Sequence, residues 1–215
     1  MATKVLTDQP SIANTFLAEL RDSSIQSDPM RFRTNLARLG GLIGYEISKT
    51  LNYKEVETET PLGISKSHLI SDNIVIASIL RAGIPMHNGL LDVFDQAENA
   101  FISAQRKMHK TGSFDIELNK VTSPSIEGKV LILCDPMLAT GASLDLALQA
   151  LESYGKPSAI HICTAIASRA GMEHVQRLHP DTNIWIGDLD EELTAKSYIV
   201  PGLGDAGDLA FGPKI

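Results

Sequence analysis

The chain has 215 residues, 43% of them hydrophobic, and a formal net charge of −7 at pH 7. This length and composition suffice for one sizeable core, so we predict a single domain over residues 1–215. Because an acidic chain without a dense run of lysines and arginines binds phosphate backbones poorly, we expect no nucleic-acid partner.

Signals for secretion or membrane insertion are not visible in the sequence. Residues 1–5 lack the apolar stretch of a signal peptide, and no segment approaches the ~18 apolar residues of a membrane helix. Cys134 and Cys163 lie in apolar strand-like runs, which is typical of reduced core thiols rather than of a disulfide or metal framework. We therefore expect a soluble, cytoplasmic protein without a membrane partner.

Two helices are predicted first. Residues 11–21 are amphipathic, and a longer helix starts at Asp28-Pro29, where proline is tolerated at an early position. The segment 51–71 is polar and rich in turn residues, and its alternation of Glu with Val or Thr predicts a short edge strand. An acidic metal site is the weaker interpretation of the same glutamates.

From Ile74 onward, strand and helix patterns alternate. Strands are predicted over 74–80, 100–104, 130–134, 159–167 and 184–186, and helices over 86–94, 144–154 and 171–178. Such alternation predicts an α/β fold with an open, mainly parallel twisted sheet flanked by helices. The pattern is lost between Gln105 and Ile126, which predicts a long, mobile loop over the functional site.

The most informative segment follows the predicted strand 130–134. Asp135 stands at the strand end, and Thr140-Gly141-Ala142-Ser143 then opens a helix. Backbone N–H groups at such a helix N-terminus bind phosphate, so we predict a phosphate site with help from the Thr140 and Ser143 hydroxyls. The alternative is an ordinary turn in which Ser143 is the helix N-cap.

Two further segments complete a pattern. Residues 198–208 are rich in glycine, and residues 80–86 contain Arg81 followed by Ala82-Gly83. Together with residues 135–143, these segments resemble the uracil phosphoribosyltransferase family in the expected order, and the resemblance covers about residues 15–212. It implies the type I phosphoribosyltransferase fold, with N-terminal helices, a flexible arm at about 104–126 and a base-binding hood at about 187–212.

The resemblance also implies an activity. Members of the family transfer ribose 5-phosphate from phosphoribosyl pyrophosphate to N1 of uracil, which gives UMP and pyrophosphate. The transition state resembles an oxocarbenium ion, and Asp135, Arg81 and Asp205 are the implied catalytic residues. A homodimer or a larger homo-oligomer is the implied assembly.

The resemblance assigns each ligand to residues of this sequence. Phosphoribosyl pyrophosphate is assigned to Arg81, Arg106, Asp205, Asp135, Pro136, Met137, Leu138, Ala139, Thr140, Gly141, Ala142 and Ser143. Uracil is assigned to Ile199, Gly204, Asp205 and Ala206. Asp205 is also expected to hold Mg²⁺, since a carboxylate with substrate phosphates is a usual coordination for this cofactor. A non-prolyl cis peptide is expected near Leu80-Arg81-Ala82.

Three departures from the family pattern keep alternatives open. Ala142 stands where glycine is usual and fits only if its backbone is helical. Leu209 stands where a basic residue is common, and the neighbours of Arg106, including Lys107, differ from the usual ones. An inactive homologue is therefore one alternative to an enzyme, and a nucleotide-sensing regulator built on the same fold is a second, separate alternative.

Overall fold

The computed structural model describes residues 2–108 and 114–214, with side chains described outside 105–117. Its helices are α1 (Ile12–Arg21), α2 (Pro29–Ser48), α3 (Ile84–Leu91), α4 (Ala142–Leu151), α5 (Arg169–Leu178) and α6 (Ala206–Phe211). Its strands are β1 (Thr3–Val5), β2 (Tyr53–Thr60), β3 (Gly63–Ile70), β4 (Ile74–Leu80), β5 (Glu98–Met108), β6 (Phe114–Thr122), β7 (Val130–Cys134), β8 (Met137–Leu138), β9 (Ala159–Ser168), β10 (Thr182–Asp190), β11 (Glu192–Leu193) and β12 (Ile199–Val200).

The central sheet has the order β1-β10-β9-β7-β4-β5-β6, and β8 pairs with β9. Its pairings are parallel except for β5 with β6. This arrangement confirms the predicted open, mainly parallel sheet. Because β4 and β7 lie at the centre, their carboxyl ends meet at one edge of the sheet, where ligands bind in folds of this class.

Alternate residues of the central strands enter two separate cores. Ile76 and Ile132 pack with residues of α1, α2, α3 and α6 on one face. Val75 and Leu131 pack with residues of α4 and α5 on the other face. Since successive side chains of a strand point to opposite faces, a continuous apolar run is what a strand covered on both faces requires.

The first two helices begin as the sequence predicts. Ser11 accepts a hydrogen bond from the backbone N–H of Ala13, and its own N–H donates to Asn14 at 2.8 Å. Asp28 accepts from the backbone N–H of Met30 at 2.9 Å, directly before Pro29. These caps satisfy N–H groups that have no partner within a helix, and they fix where each helix starts.

The prediction of one short edge strand over 51–71 is wrong. β2 and β3 form a separate antiparallel hairpin that pairs from Tyr53 with Ile70 to Thr60 with Gly63. Both strands are exposed along almost their whole length. Neither face is covered by the rest of the chain, so the apolar pattern that normally reveals a strand is weak here.

The prediction of an irregular loop between Gln105 and Ile126 is also wrong. β5 and β6 are antiparallel partners from Phe101 with Thr122 to Met108 with Phe114. Backbone pairing stabilises these strands although their side chains are largely polar, which hid them from pattern analysis. Residues 109–113 lie outside the described residues, and the mobility of this arm stays a prediction.

Both cysteines are free and buried, as predicted. Burial raises the pKa of the Cys134 thiol to about 12 and raises the pKa of Cys163 well above its usual value. Both thiols are therefore protonated and unreactive near neutral pH. Over 2–108 and 114–214, no helix is both long and apolar enough to span a bilayer.

Candidate active site

A cavity of about 700 Å³ opens at the sheet edge where β4 and β7 end. Residues from all three sequence motifs line it, together with Ser103, Ala104, Asn119 and Lys214. The motifs contribute Leu80, Arg81, Ala82; Asp135, Met137, Ala139, Ser143; and Tyr198, Ile199, Gly204, Asp205, Ala206, Gly207, and the residues directly before two of the motifs, Ile79 and Ser197, also line the cavity. Segments far apart in the sequence thus share one cavity.

Asp135 lies directly after β7, and its backbone is fixed to the next strand. Its N–H donates to the carbonyl of Cys163 at 3.1 Å. One carboxylate oxygen accepts from the N–H of Met137 at 3.4 Å. The loop that follows therefore positions the carboxylate, which lines the cavity at the strand end.

The phosphate turn begins α4 in the manner needed for anion binding. Gly141 is the N-cap with φ 83°, a left-handed conformation that costs other residues roughly 1–2 kcal/mol. Among the described residues other than glycine, only Ser197 has a positive φ. Ala142 therefore has the helical backbone that an alanine at this position requires. The Thr140 hydroxyl accepts from the N–H of Ala142 at 3.4 Å. Ser143 lies within the first helical turn, so the alternative that made it the N-cap is wrong.

Two residues that sequence reasoning missed, Ser168 and Gly171, pack against the backbone of this turn. The Ser168 hydroxyl donates to the carbonyl of Ala139 at 2.5 Å and accepts from the N–H of Gly171 at 2.9 Å. A Cβ atom added to Gly171 would lie 2.1 Å from the same carbonyl oxygen. The start of α5 therefore contacts the turn backbone directly. The only feature of the sequence that could have identified Ser168 is its position as a serine directly before a predicted helix.

Arg81 connects the first motif to the C-terminal segment. Its guanidinium donates to the Asp208 carboxylate at 3.2 Å and to the carbonyl of Gly212 at 3.0 Å. The Leu80–Arg81 peptide bond is cis, as expected. Because the Arg81 and Asp208 side chains are each 39% exposed, this ion pair is accessible to a competing anion at the cavity.

Asp205 caps α6 and faces a lysine that the sequence analysis did not identify. One oxygen accepts from the N–H of Asp208 at 3.0 Å, and the other lies 3.4 Å from Nζ of Lys214. Burial by itself would raise the pKa of Asp205, but the Asp208 N–H and the Lys214 ammonium outweigh burial and lower it. Asp205 is therefore ionised at neutral pH, and Lys214 supplies a cation where Leu209 supplies none.

A family model for uracil phosphoribosyltransferase matches residues 6–213. The chain belongs to this family. The uracil phosphoribosyltransferase of Porphyromonas gingivalis is 48% identical over 206 residues, which cover 95% of each chain. That of Thermococcus gammatolerans is 40% identical over 211 residues, covering 97% of this chain and 92% of the relative. The solved structure of the AQ2163 protein from Aquifex aeolicus has a TM-score of 0.87 at 29% identity and 98% coverage of both chains.

Not every residue assigned from the uracil phosphoribosyltransferase resemblance lines the cavity. Pro136 and Leu138 are buried, and the lining of the cavity does not include Thr140, Gly141 or Ala142. Pro136 has no N–H, and its carbonyl already accepts from the N–H of Ile166 at 3.0 Å, so it offers a ligand no backbone donor. The side chain of Arg106, like that of Lys107, lies outside the described part, so its assignment stays a prediction.

The donor set fits Mg²⁺ as this family would use it. Mg²⁺ is usually bound by one or two carboxylates together with water and substrate phosphate oxygens. Asp205 and Asp135 offer ionisable carboxylates at the same cavity. Within the described ranges, no three His, Cys, Asp or Glu residues form a group that could hold a metal ion.

The contact beneath the turn gives a first prediction. Gly171→Ala is expected to lower the free energy of unfolding by about 2 kcal/mol, because the new methyl group overlaps the carbonyl of Ala139 and backbone must shift. Thermal denaturation measures the change. Gly41→Ala is the matched control, since its Cβ would meet its nearest neighbour, the Gly89 carbonyl, at 3.5 Å, an ordinary contact. Equal melting temperatures for the two variants would contradict the prediction.

Proposed function

We propose that the protein is an active uracil phosphoribosyltransferase. It transfers ribose 5-phosphate from phosphoribosyl pyrophosphate to uracil: the C1–oxygen bond to pyrophosphate breaks, a bond from C1 to N1 forms, and N1 loses its proton. The observation that carries this proposal is the convergence of the three motifs on one cavity. Family membership over residues 6–213 supports the same activity.

The phosphate turn is proposed to bind the 5-phosphate. Its first helical N–H groups and the Ser143 hydroxyl supply donors, and the positive end of α4 favours an anion without a formal cation. The left-handed Gly141 allows the turn to present these groups together. A phosphate held here leaves the sugar beside Asp135.

Asp135 is proposed to interact with the ribose. Its carboxylate is suited to accept hydrogen bonds from the ribose hydroxyls and to stabilise the positive charge that develops at the anomeric carbon. The Met137 N–H and the backbone tie to Cys163 hold the group before substrate binds. Preorganisation of this kind acts more strongly in the transition state than in the ground state.

The leaving pyrophosphate is proposed to contact Arg81. In the structure this guanidinium is paired with Asp208, so a pyrophosphate oxygen would replace a carboxylate as its partner. Asp205, with the pyrophosphate, would hold Mg²⁺, and the ion when bound neutralises charge on the leaving group. Lys214 lies beside both carboxylates and adds positive charge at the same end of the cavity.

Uracil is proposed to lie against backbone groups of the glycine-rich segment. Ile199, Gly204 and Ala206 line the cavity, and Ala206 is the first residue of α6. The N–H of a first helical residue has no carbonyl partner within the helix and is suited to donate to a ligand. Reading the base through the backbone would make specificity a property of the loop conformation.

Two of the departures from the family pattern that motivated the inactive-homologue alternative no longer support it. Ala142 has helical backbone, and Lys214 provides a cation near the position of Leu209. A regulator would bind UMP or phosphoribosyl pyrophosphate without turnover. Incubation with uracil, phosphoribosyl pyrophosphate and magnesium, followed by chromatography for UMP, distinguishes an enzyme from a regulator or an inactive homologue. If no UMP forms, the proposed enzymatic activity is contradicted.

The role of Arg81 gives a second prediction. Arg81→Ala is expected to raise KM for phosphoribosyl pyrophosphate by about tenfold or more, with a smaller change for uracil, because a charge-assisted contact to the leaving group is removed. Steady-state kinetics with each substrate varied in turn measure both constants. Arg169→Ala is the control, since it removes an arginine paired with Glu191 outside the cavity lining. Equal effects on both substrates would refute the assignment.

We also propose that the protein is a homodimer or a larger homo-oligomer. The β2–β3 hairpin is exposed on both faces and presents Leu62, Ile64 and Leu69 at 101%, 70% and 52% exposure. Two-stranded hairpins are marginally stable alone in water, which favours packing against a second copy. Light scattering of the purified chain gives its mass directly.

A cytoplasmic location is proposed because the two cysteines are free, buried thiols, as is typical of proteins from a reducing compartment.

A further inference from the structure

The last residue of α1, Arg21, joins three separate parts of the chain. One guanidinium nitrogen donates to Asp190 at 2.8 Å and to the carbonyl of Gly202 at 2.9 Å. The other donates to Asp188 at 2.7 Å and to the second oxygen of Asp190 at 2.8 Å. Both terminal nitrogens of the planar guanidinium are thereby directed at two carboxylates and one backbone carbonyl.

Asp190 completes this arrangement from the carboxyl end of β10. It is 5% exposed, and its Oδ2, which accepts from Nη1 of Arg21, also accepts from the N–H of Gly202 at 2.9 Å. Both backbone groups of Gly202 are therefore held, the carbonyl by Arg21 and the N–H by Asp190. We call Arg21, Asp188 and Asp190 the Gly202 clamp.

The clamp acts at the centre of the glycine-rich segment. Gly202 lies between Ile199 and Gly204, which both line the cavity. The secondary structure that anchors the segment before Gly202 is short, since β11 pairs with β12 at two positions only. The clamp is thus a fixed point from which the backbone reaches the cavity on both sides.

We propose that Arg21 is a positioning residue for the base: it sets the geometry of the uracil-reading backbone without touching the substrate. This inference rests on the proposed function. Hydrogen bonds from a backbone to a flat base tolerate little displacement, and a shift of about 1 Å at a reacting ligand can cost on the order of 10² in rate. Loss of the clamp should therefore affect uracil more than phosphoribosyl pyrophosphate, because the proposed contacts of the latter lie on the phosphate turn, Asp135 and Arg81, and only Asp205 belongs to the glycine-rich segment.

The main test is Arg21→Lys, which keeps the positive charge but cannot donate in the planar fork. We expect kcat/KM for uracil to fall about tenfold or more, while KM for phosphoribosyl pyrophosphate changes less than about twofold. Isothermal titration with UMP adds a readout that does not depend on turnover, and its affinity should fall in parallel. Arg31→Lys is the matched control, because Arg31 makes an equally direct two-bond pair with Glu19 that does not reach Gly202.

A milder variant covers the case in which Arg21→Lys does not fold. Asp188→Asn removes one acceptor of Arg21 but keeps an oxygen for the Thr7 hydroxyl, which donates to Asp188 at 2.7 Å. It should lower kcat/KM for uracil in the same direction and by a smaller factor. Melting temperatures identify which variants are folded.

The outcomes separate the inference from the function on which it rests. A folded variant with unchanged uracil kinetics, or with equal losses for both substrates, would overturn the positioning role while wild-type turnover stands. A wild-type protein that forms no UMP would overturn the proposed function and the positioning role with it. A selective loss for uracil in Arg21→Lys, with Arg31→Lys unaffected, would establish the clamp.

Discussion

Replacement of Asp135 by asparagine is expected to lower kcat by on the order of 10² or more, with the fold intact. Asparagine has nearly the same shape and can still accept from the Met137 N–H, so the loop should persist. It lacks the negative charge proposed to stabilise the oxocarbenium-like transition state. Initial rates at saturating uracil and phosphoribosyl pyrophosphate measure the effect.

Asp95→Asn provides the matched control for this charge change. Asp95 is exposed in the turn after α3 and does not line the cavity. Its replacement should leave kcat within about twofold of the wild type, since exposed substitutions rarely disturb a distant site. An Asp135→Asn protein with native circular dichroism and undiminished turnover would remove Asp135 from the proposed mechanism.

The parts of the fold that the sequence predicts are those in which local pattern and burial agree. β4 and β7 are covered on both faces, so their residues form near-continuous apolar runs, broken only by Ser78 in β4 and bounded by motif residues. α1 and α2 carry capping residues that mark their starts within one position. In these elements the sequence periodicity and the tertiary packing favour the same structure.

The strands that pattern analysis missed lack that agreement. β2, β3 and β6 are largely exposed or polar, and β1 is a strand of three residues that pairs with β10 at the sheet edge. Their existence depends on backbone pairing with partners distant in the sequence or across a turn. A single-sequence pattern contains no record of such partners, so the alternation of β2 was taken for one short strand.

The site shows the same division between motif and long-range contact. Asp135, Arg81 and Asp205 stand in motifs, so the amino-acid sequence alone is enough to make them candidates. Ser168 and Arg21 support the turn and the base-reading segment from distant elements, through hydrogen bonds across 29 and 181 positions of sequence. Only the three-dimensional arrangement identifies residues of this supporting kind.

Base selectivity is the second large effect. If the backbone groups of Ile199, Gly204 and Ala206 read uracil, cytosine should be rejected by on the order of 10² or more in kcat/KM. The exocyclic amine of cytosine puts a donor against the Ala206 N–H. Its unprotonated N3 cannot donate to the Gly204 carbonyl, and buried mismatches of this kind cost ~1–3 kcal/mol each. Initial rates with each base as sole acceptor measure the ratio.

A 5-halogenated uracil is the matched control for this prediction, because it keeps the whole hydrogen-bonding edge and changes only bulk at C5. It should remain a substrate if the cavity has space at that carbon. Cytosine, although it is nearly the same size as uracil, should not be a substrate. Side-chain substitutions along 198–206 should then alter the tolerance for C5 substituents and leave the rejection of cytosine unchanged, since the donors and acceptors belong to the backbone. Turnover of cytosine at a rate comparable to that of uracil would show that this segment does not read the base.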